Sequence, residues 1–141
     1  IAEAINRGWI TGNAEDYYIK GIKASWSFHG VTDVETKWTA YYAQTSVKLS
    51  STASTALTQI LTQKYLAFFQ NSGWEAYNNY RRTGVPTFLT GPGTANSQRI
   101  AKRWQYPNSE RTTNATNYKA ALVSQFGAET DDINSEMWII K

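Results

Sequence analysis

Apolar side chains recur at helical spacing along the chain, and no stretch keeps the alternation of a β-strand. The clearest early case is the stretch after Asn13, a good N-cap residue, where Tyr18, Ile22 and Trp26 share one face. This pattern predicts a helix over about Ala14–Phe28, ended by His29 and Gly30.

A second stretch, rich in leucine and isoleucine, follows a serine- and threonine-rich loop at Val47–Ser54. Ser51 or Ser54 is expected to cap a helix that runs to about Gln70, with Lys64 lying over its apolar face. A third stretch predicts a helix over Asn114–Phe126 with Gly127 at its C-terminal end. Shorter helical segments are expected at Ala2–Arg7, Val34–Tyr42 (capped by Asp33) and Trp74–Arg82, and Asn134 is expected to cap a last turn with Met137 and Trp138.

Between the helices lies a long segment of turn residues, Thr83–Ala101, which includes Gly84, Pro86 and Gly91-Pro92-Gly93. Loops of this length in a compact domain are usually functional or mobile. The predicted fold class is therefore all-α, with long irregular loops.

Composition excludes several classes of function. The chain of 141 residues contains no cysteine, so it has neither a disulfide scaffold nor a thiol nucleophile. Its formal charge of +3 is too small and dispersed to indicate nucleic-acid binding. No apolar run approaches the ~18 residues of a membrane-spanning helix. Tryptophan and tyrosine supply 15 of the 20 aromatic residues, which suits the apolar faces and polar edges of sugars.

Two motifs stand in order in the second half of the chain. The first is GWEAYNNYRRTGVP at residues 73–86, and the second is RWQYPNSE at 103–110, followed by NATNYKAA at 114–121. This combination resembles the C-terminal part of the SusD/RagB family of SusD-like outer-membrane lipoproteins of Bacteroidetes. The departures are Tyr77 and Tyr80 where the family prefers tryptophan, Ala101 where proline is usual, and Met137-Trp138 in place of a tryptophan pair.

The resemblance implies a helical SusD-like fold, with this chain as the C-terminal part of a larger TPR-like protein. The chain opens on Ile1 inside a helical pattern, which also suggests a piece of something longer. Residues 1–141 are expected to form one helical segment, with a hairpin and long helix in 1–72 and a motif-rich part in 73–141. Ile1, Ala4, Ile5, Trp9 and the Tyr18/Ile22/Trp26 stripe are expected to form an exposed apolar patch.

The resemblance also implies a function. SusD-like proteins capture nutrients, mainly glycans and in some members peptides, without catalysis or a cofactor. They work on the extracellular face of the outer membrane, lipid-anchored, as partners of a SusC-like TonB-dependent transporter. Two rival functions remain open, a carboxylate-based glycoside hydrolase and a purely architectural helical domain; a nucleic-acid binder is a distant fourth.

The best ligand-binding candidates are Trp104, Arg103 and Tyr106, which follow a loop that could bring them to the surface. A sugar face stacked on the indole, with Arg103 as a donor, would form a small platform. Burial of Trp104 beneath the loop is the competing interpretation. The remaining motif residues are expected to be structural: Glu75, Arg81, Arg82, Glu110, Asn114, Asn117 and Tyr118.

Several charged residues can be interpreted either as structural or as functional. Arg81 or Arg82 is expected to bind a carboxylate, such as Glu75 or Glu110, or carbonyls of the Thr83–Tyr106 loop, rather than an anionic ligand. Glu75 and Glu110 would be the carboxylates of a hydrolase. The acidic residues near 131 could bind calcium, but a solvated acidic turn is favoured. The single histidine, His29, is interpreted as a surface helix cap.

Overall fold

The computed structural model describes residues 1–140, and the chain divides into two compact units, 1–86 and Thr87 onward. The first unit contains α1 (Ala2–Asn6), α2 (Ala14–Phe28), α3 (Val34–Tyr42), α4 (Ala53–Ala67) and α5 (Glu75–Thr83). The second contains α6 (Ala95–Gln98), α7 (Asn108–Thr113), α8 (Ala115–Phe126) and a 3₁₀ turn at Trp138–Ile140. No strand forms within residues 1–140, so the all-α prediction is confirmed.

Helix α2 has the predicted bounds because its end signals are local. The Asn13 side chain accepts a hydrogen bond from the Glu15 N–H at 3.0 Å, which satisfies a donor that the first turn leaves unpaired. His29 occupies the C-terminal cap, and Gly30 follows with φ 73°. A left-handed residue at this point ends the helix, and glycine adopts that conformation at little cost.

Two predicted caps are wrong. Asp33 precedes α3 but has φ 56°, and its side chain makes no capping hydrogen bond. A capping carboxylate needs an extended backbone at that position, which a left-handed residue does not provide. Helix α4 has Thr52 at its N-cap, rather than Ser51 or Ser54, and ends at Ala67 instead of Gln70.

The core of the first unit lies where α1, α2 and α4 pack together. Its buried apolar residues include Tyr18, Ile22 and Ile60, and aromatic side chains of α2 and α3 pack around them. The Tyr18 hydroxyl donates a 2.7 Å hydrogen bond to the Val47 carbonyl. Burial raises the pKa of this hydroxyl, so it remains a donor at any physiological pH.

The expected exposed patch at the front of the chain forms only in part. Ile1 and Trp9 are 70% and 66% exposed, whereas Tyr18 and Ile22 are buried and Trp26 packs against the core. The prediction of exposure is therefore wrong for the α2 stripe, because α1, α3, α4 and Val47 pack around it.

The second unit is built around α8, whose Leu122 is fully buried. Gly127 ends this helix with φ 75°, as predicted. Helix α7 was not predicted, since the sequence there was interpreted as a motif rather than as a helix. α6 is a single turn in which Asn96 and Ser97 adopt left-handed backbone angles.

Candidate functional site

The second unit contains a cluster of charged and aromatic side chains around Asp131, here called the Asp131 cluster. Its members are Arg103, Tyr106, Arg111, Tyr118 and Asp131. The side chains of Arg103 and Asp131 are only 4% and 5% exposed, and they form a direct ion pair. Arg103 and Tyr106, the two ligand-binding candidates predicted beside Trp104, therefore belong to this cluster.

The Asp131 carboxylate has several donors. Its Oδ2 accepts from the Tyr106 backbone N–H at 3.0 Å, the Arg111 guanidinium at 3.1 Å and the Tyr118 hydroxyl at 3.1 Å. Its Oδ1 accepts from Arg103. Such coordination satisfies the lone pairs of a buried carboxylate and repays part of its desolvation.

The pKa of Asp131 reflects two opposed causes. Burial alone would raise it, but the hydrogen bonds from Arg103 and the Tyr106 N–H favour the ionised form and bring the pKa below its ordinary value. For Tyr118, burial and the hydrogen bond to Asp131 raise the pKa of the phenol, and they outweigh the charges of Arg111 and Arg103, which lower it. The cluster therefore contains a carboxylate ion and a neutral phenol at neutral pH.

Aromatic rings enclose the Arg103 guanidinium. Its central carbon lies 4.7 Å from the Phe126 ring centroid and 5.4 Å from that of Tyr106. The Tyr106 ring meets Tyr118 edge to face, with 5.8 Å between centroids. Arg103 also donates to the Asp132 carbonyl at 3.1 Å. The positive charge of Arg103 is thus compensated within the protein by Asp131 and by the faces of two aromatic rings.

Trp104 lies on the outside of this arrangement and is 59% exposed. The backbone on each side of it is fixed. The N–H groups of Lys102 and Arg103 donate to the Ile133 carbonyl at 2.8 and 3.1 Å, and the Gln105 side chain donates to the Asp131 carbonyl at 3.0 Å. The indole is therefore accessible to solvent on a well-anchored backbone.

The acidic residues near 131 were interpreted as a solvated turn, and for Asp131 that prediction is wrong. Its carboxylate is buried, because Arg103, about 28 positions earlier, supplies a counter-charge. Asp132 is exposed and accepts the Asn134 N–H at 2.9 Å. Within residues 1–140, no group of three or more histidine or acidic side chains is placed to hold a metal ion.

The motif arginines of α5 occupy a different place, in the first unit. Arg82 donates to both oxygens of Glu3, at 2.8 and 3.0 Å, and to the Asn79 side chain at 2.9 Å. A carboxylate partner was predicted, but it is Glu3 of α1 rather than Glu75 or Glu110. The pair therefore ties α5 to α1 and does not pin the loop. Arg81 lies over the Tyr77 ring, 5.4 Å from its centroid.

The remaining motif residues lie on helix ends. Glu75 is the first residue of α5. At the junction of α7 and α8, Asn114 donates to Glu110 at 2.9 Å, and Asn117 donates to Asn114 at 2.7 Å. These side chains connect two short consecutive helices.

The sequence of the chain matches a known family over most of its length. The model of the SusD-like family described as "Starch-binding associating with outer membrane" matches residues 1–107. The chain belongs to this SusD-like family. No curated protein sequence matches the chain.

Solved structures agree with the family. A SusD homologue of Bacteroides fragilis NCTC 9343 is 38% identical with a TM-score of 0.85, over 99% of this chain and 32% of that one. An outer-membrane protein of Bacteroides vulgatus ATCC 8482, provisionally linked to nutrient binding, is 35% identical with a TM-score of 0.81, over 99% and 32%. A chitin-binding protein is 30% identical with a TM-score of 0.79, over 99% and 31%. The chain thus spans about a third of the length of these relatives.

Membership of the family fits the helical fold of the described residues. Among the described residues, each helix is too short or too polar to cross a bilayer.

Proposed function

We propose that this SusD-like protein captures glycans at the cell surface without catalysis and passes them to a SusC-like TonB-dependent transporter. The family description as starch-binding and associated with the outer membrane supports the ligand class and the place. A chitin-binding relative at 30% identity supports a glycan over a peptide. In this proposal the full-length protein is lipid-anchored on the extracellular face of the outer membrane.

The observation that carries a role for this segment is the exposure of Trp104 beside a buried Arg103 that is paired with Asp131. An indole loses little entropy on binding, and its face suits the C–H face of a sugar. Because hydrogen bonds to Ile133 and Asp131 anchor the backbone on both sides of Trp104, the backbone that presents the ring is preorganised, which lowers the cost of binding.

Within the proposed site, the three predicted ligand residues take different roles. Trp104 contacts the sugar, while Arg103 and Tyr106 support it from beneath through the Asp131 cluster. This division follows from burial, since Arg103 is almost inaccessible and Tyr106 is partly covered. Ligand donors would then come from groups other than the Arg103 guanidinium.

The test is calorimetric titration with maltooligosaccharides and chitooligosaccharides, comparing wild type, Trp104→Ala and Trp9→Ala. Trp9 is a matched control because it is exposed but lies in the other unit. We expect Trp104→Ala to weaken binding about tenfold or more, equivalent to about 1.4 kcal/mol, and Trp9→Ala to leave it unchanged. Unchanged affinity in Trp104→Ala, together with a lower melting temperature, would show that Trp104 is structural.

The non-catalytic part of the proposal has its own measurement. Incubation of the same oligosaccharides with the protein should release no new reducing ends. Release that disappears in Glu75→Gln or Glu110→Gln would establish the hydrolase instead.

A further inference from the structure

The first unit contains a cavity of about 470 Å³ that the Trp104 site does not involve. Side chains of α2, α3 and the end of α4 line it, and it reaches the surface beside Phe69, which is 64% exposed. Cavities of roughly 300–1,000 Å³ are the usual size for small-molecule sites. Its volume therefore suits a ligand of one or two small rings.

Aromatic rings form much of the wall, and they are fixed by contacts with one another and with the backbone. Trp26 meets Tyr41 edge to face, with 4.9 Å between centroids. The His29 ring nitrogens lie 2.8 Å from the Ser25 carbonyl and 3.1 Å from the Phe69 carbonyl. These walls are preformed, so a flat apolar face could be received without reordering the side chains.

Polar groups occur at separate points of the same cavity. The Gln63 amide donates to the Tyr41 hydroxyl at 2.9 Å, and one of its two N–H groups remains for a ligand. Among the described residues, the Gln70 amide has no hydrogen-bond partner, and Ser25 adds a hydroxyl. The cavity therefore offers neutral donors and acceptors beside aromatic faces.

The charge on this wall is limited to His29, whose two ring nitrogens already face the Ser25 and Phe69 carbonyls. No aspartate, glutamate, lysine or arginine is among the described residues that line it. A cationic ligand would lose hydration there without gaining a counter-charge. A purely apolar ring would contact the aromatic walls but would leave the amides of Gln63 and Gln70 without new partners.

We propose that this cavity, here called the α2–α4 pocket, is a second binding site for a neutral sugar ring. A hexose presents a C–H face to Trp26, Tyr41 or Phe69 and hydroxyl edges to Gln63, Gln70 and Ser25. This site is separate from Trp104, and its existence does not depend on the proposed function of that residue.

The experiment follows the indole N–H resonance of Trp26 in a ¹H–¹⁵N spectrum while maltose or N,N′-diacetylchitobiose is added. The resonance is assigned from the spectrum of Trp26→Phe. We expect saturable shifts of this resonance, and we expect indole to bind more weakly than the neutral disaccharides. A Trp26 resonance unmoved by either disaccharide, or tighter binding of indole, overturns the proposal.

Three variants locate the binding. Ala67→Phe places a ring in the cavity without removing a wall residue and should reduce the affinity more than tenfold. Phe69→Ala removes an exposed ring at the mouth and gives the same test if Ala67→Phe fails to fold. Gln70→Ala should weaken the disaccharides while leaving indole binding unchanged. Wild-type affinity in both Ala67→Phe and Phe69→Ala contradicts the assignment.

Trp104→Ala separates this site from the proposed one. The Trp26 shifts should persist in that variant even if the overall calorimetric affinity falls. Loss of the Trp26 shifts in Trp104→Ala would mean that they report the Trp104 site, and the α2–α4 pocket would be rejected. If the Trp26 shifts persist in Trp104→Ala and its calorimetric affinity equals that of wild type, only the proposed role of Trp104 is rejected.

Discussion

Arg82 and Glu3 are 79 positions apart in the chain, and the guanidinium of one forms two hydrogen bonds with the carboxylate of the other. Arg7 adds a third, at 2.9 Å, to the same carboxylate. The bond from Arg82 is the largest of the causes that lower the pKa of Glu3. This pair joins α5 to the first helix of the same unit, a connection that two separate helical patterns do not reveal.

Glu3→Gln should lower the free energy of unfolding by about 1 kcal/mol, because Arg82 is 44% exposed and solvent screens much of the attraction. The control is Glu35→Gln, which breaks the more exposed ion pair with Lys23 and should change stability by less. Thermal denaturation of the 141-residue chain compares the two variants. Equal losses would mean that the paired guanidinium groups of Arg82 and Arg7 add nothing to an ordinary surface ion pair.

Asp131→Asn should be far more destabilising, by about 3 kcal/mol, because it leaves the buried Arg103 charge without its counter-ion. Asp132→Asn is the matched control, since that carboxylate is exposed and asparagine retains an acceptor for the Asn134 N–H. Chemical denaturation monitored by circular dichroism measures both. If Asp131→Asn lowers the free energy of unfolding by less than Asp132→Asn does, the Asp131 cluster is not a main source of stability for the second unit.

Acidification should remove the contribution of Asp131 to the free energy of unfolding. Its folded pKa lies below the ordinary value of 3.8, so the unfolded state binds the proton first as pH falls. The stabilisation is present above about pH 4 and is lost as the pH drops through the folded pKa. The difference in unfolding free energy between wild type and Asp131→Asn, measured at several pH values, should shrink over that acidic range. A difference that grows on acidification would have the wrong sign.

His29 should show the opposite dependence. Hydrogen bonds to the carbonyls of Phe69, chiefly, and Ser25 raise its pKa above 6.5, because the protonated ring can donate from both nitrogens. Its contribution is present below pH 6.5 and is lost as pH rises through the folded pKa. The Cε1 proton should titrate above pH 6.5 in an NMR experiment. A pKa of His29 at or below that found in the unfolded chain would exclude the hydrogen bond to the Phe69 carbonyl.

Elements with local signals were predicted well from the sequence. Helix α2 begins and ends where Asn13 and Gly30 indicate, and Gly127 correctly ends α8. The predictions were wrong where the backbone conformation, rather than the residue type, determined the local structure. Asp33 has the right chemistry for a cap but the wrong φ, and the six residues of α7 are too few to show periodicity.

The site could be predicted only in part, because its decisive contacts are distant in sequence. The family motif identified Arg103, Tyr106 and Tyr118. It did not indicate that Asp131 would bind all three, since nothing near Asp131 in the sequence specifies donors 13 to 28 positions away. Glu3 was missed as the partner of Arg82 for the same reason. The exposure of Trp104 depends on these contacts and was open until the fold was known.

The convergence of several donors on one carboxylate also restricts how this part of the protein can evolve. A lineage that replaces Asp131 leaves Arg103 as an uncompensated buried cation, so the arginine must change as well, and the most accessible order begins with Arg103. Arg111 is less constrained because it is 37% exposed. Related sequences should therefore show paired replacement at positions 103 and 131 and independent drift at 111. If Trp104 has the proposed role in glycan binding, the neighbouring position 104 should vary independently of this pair.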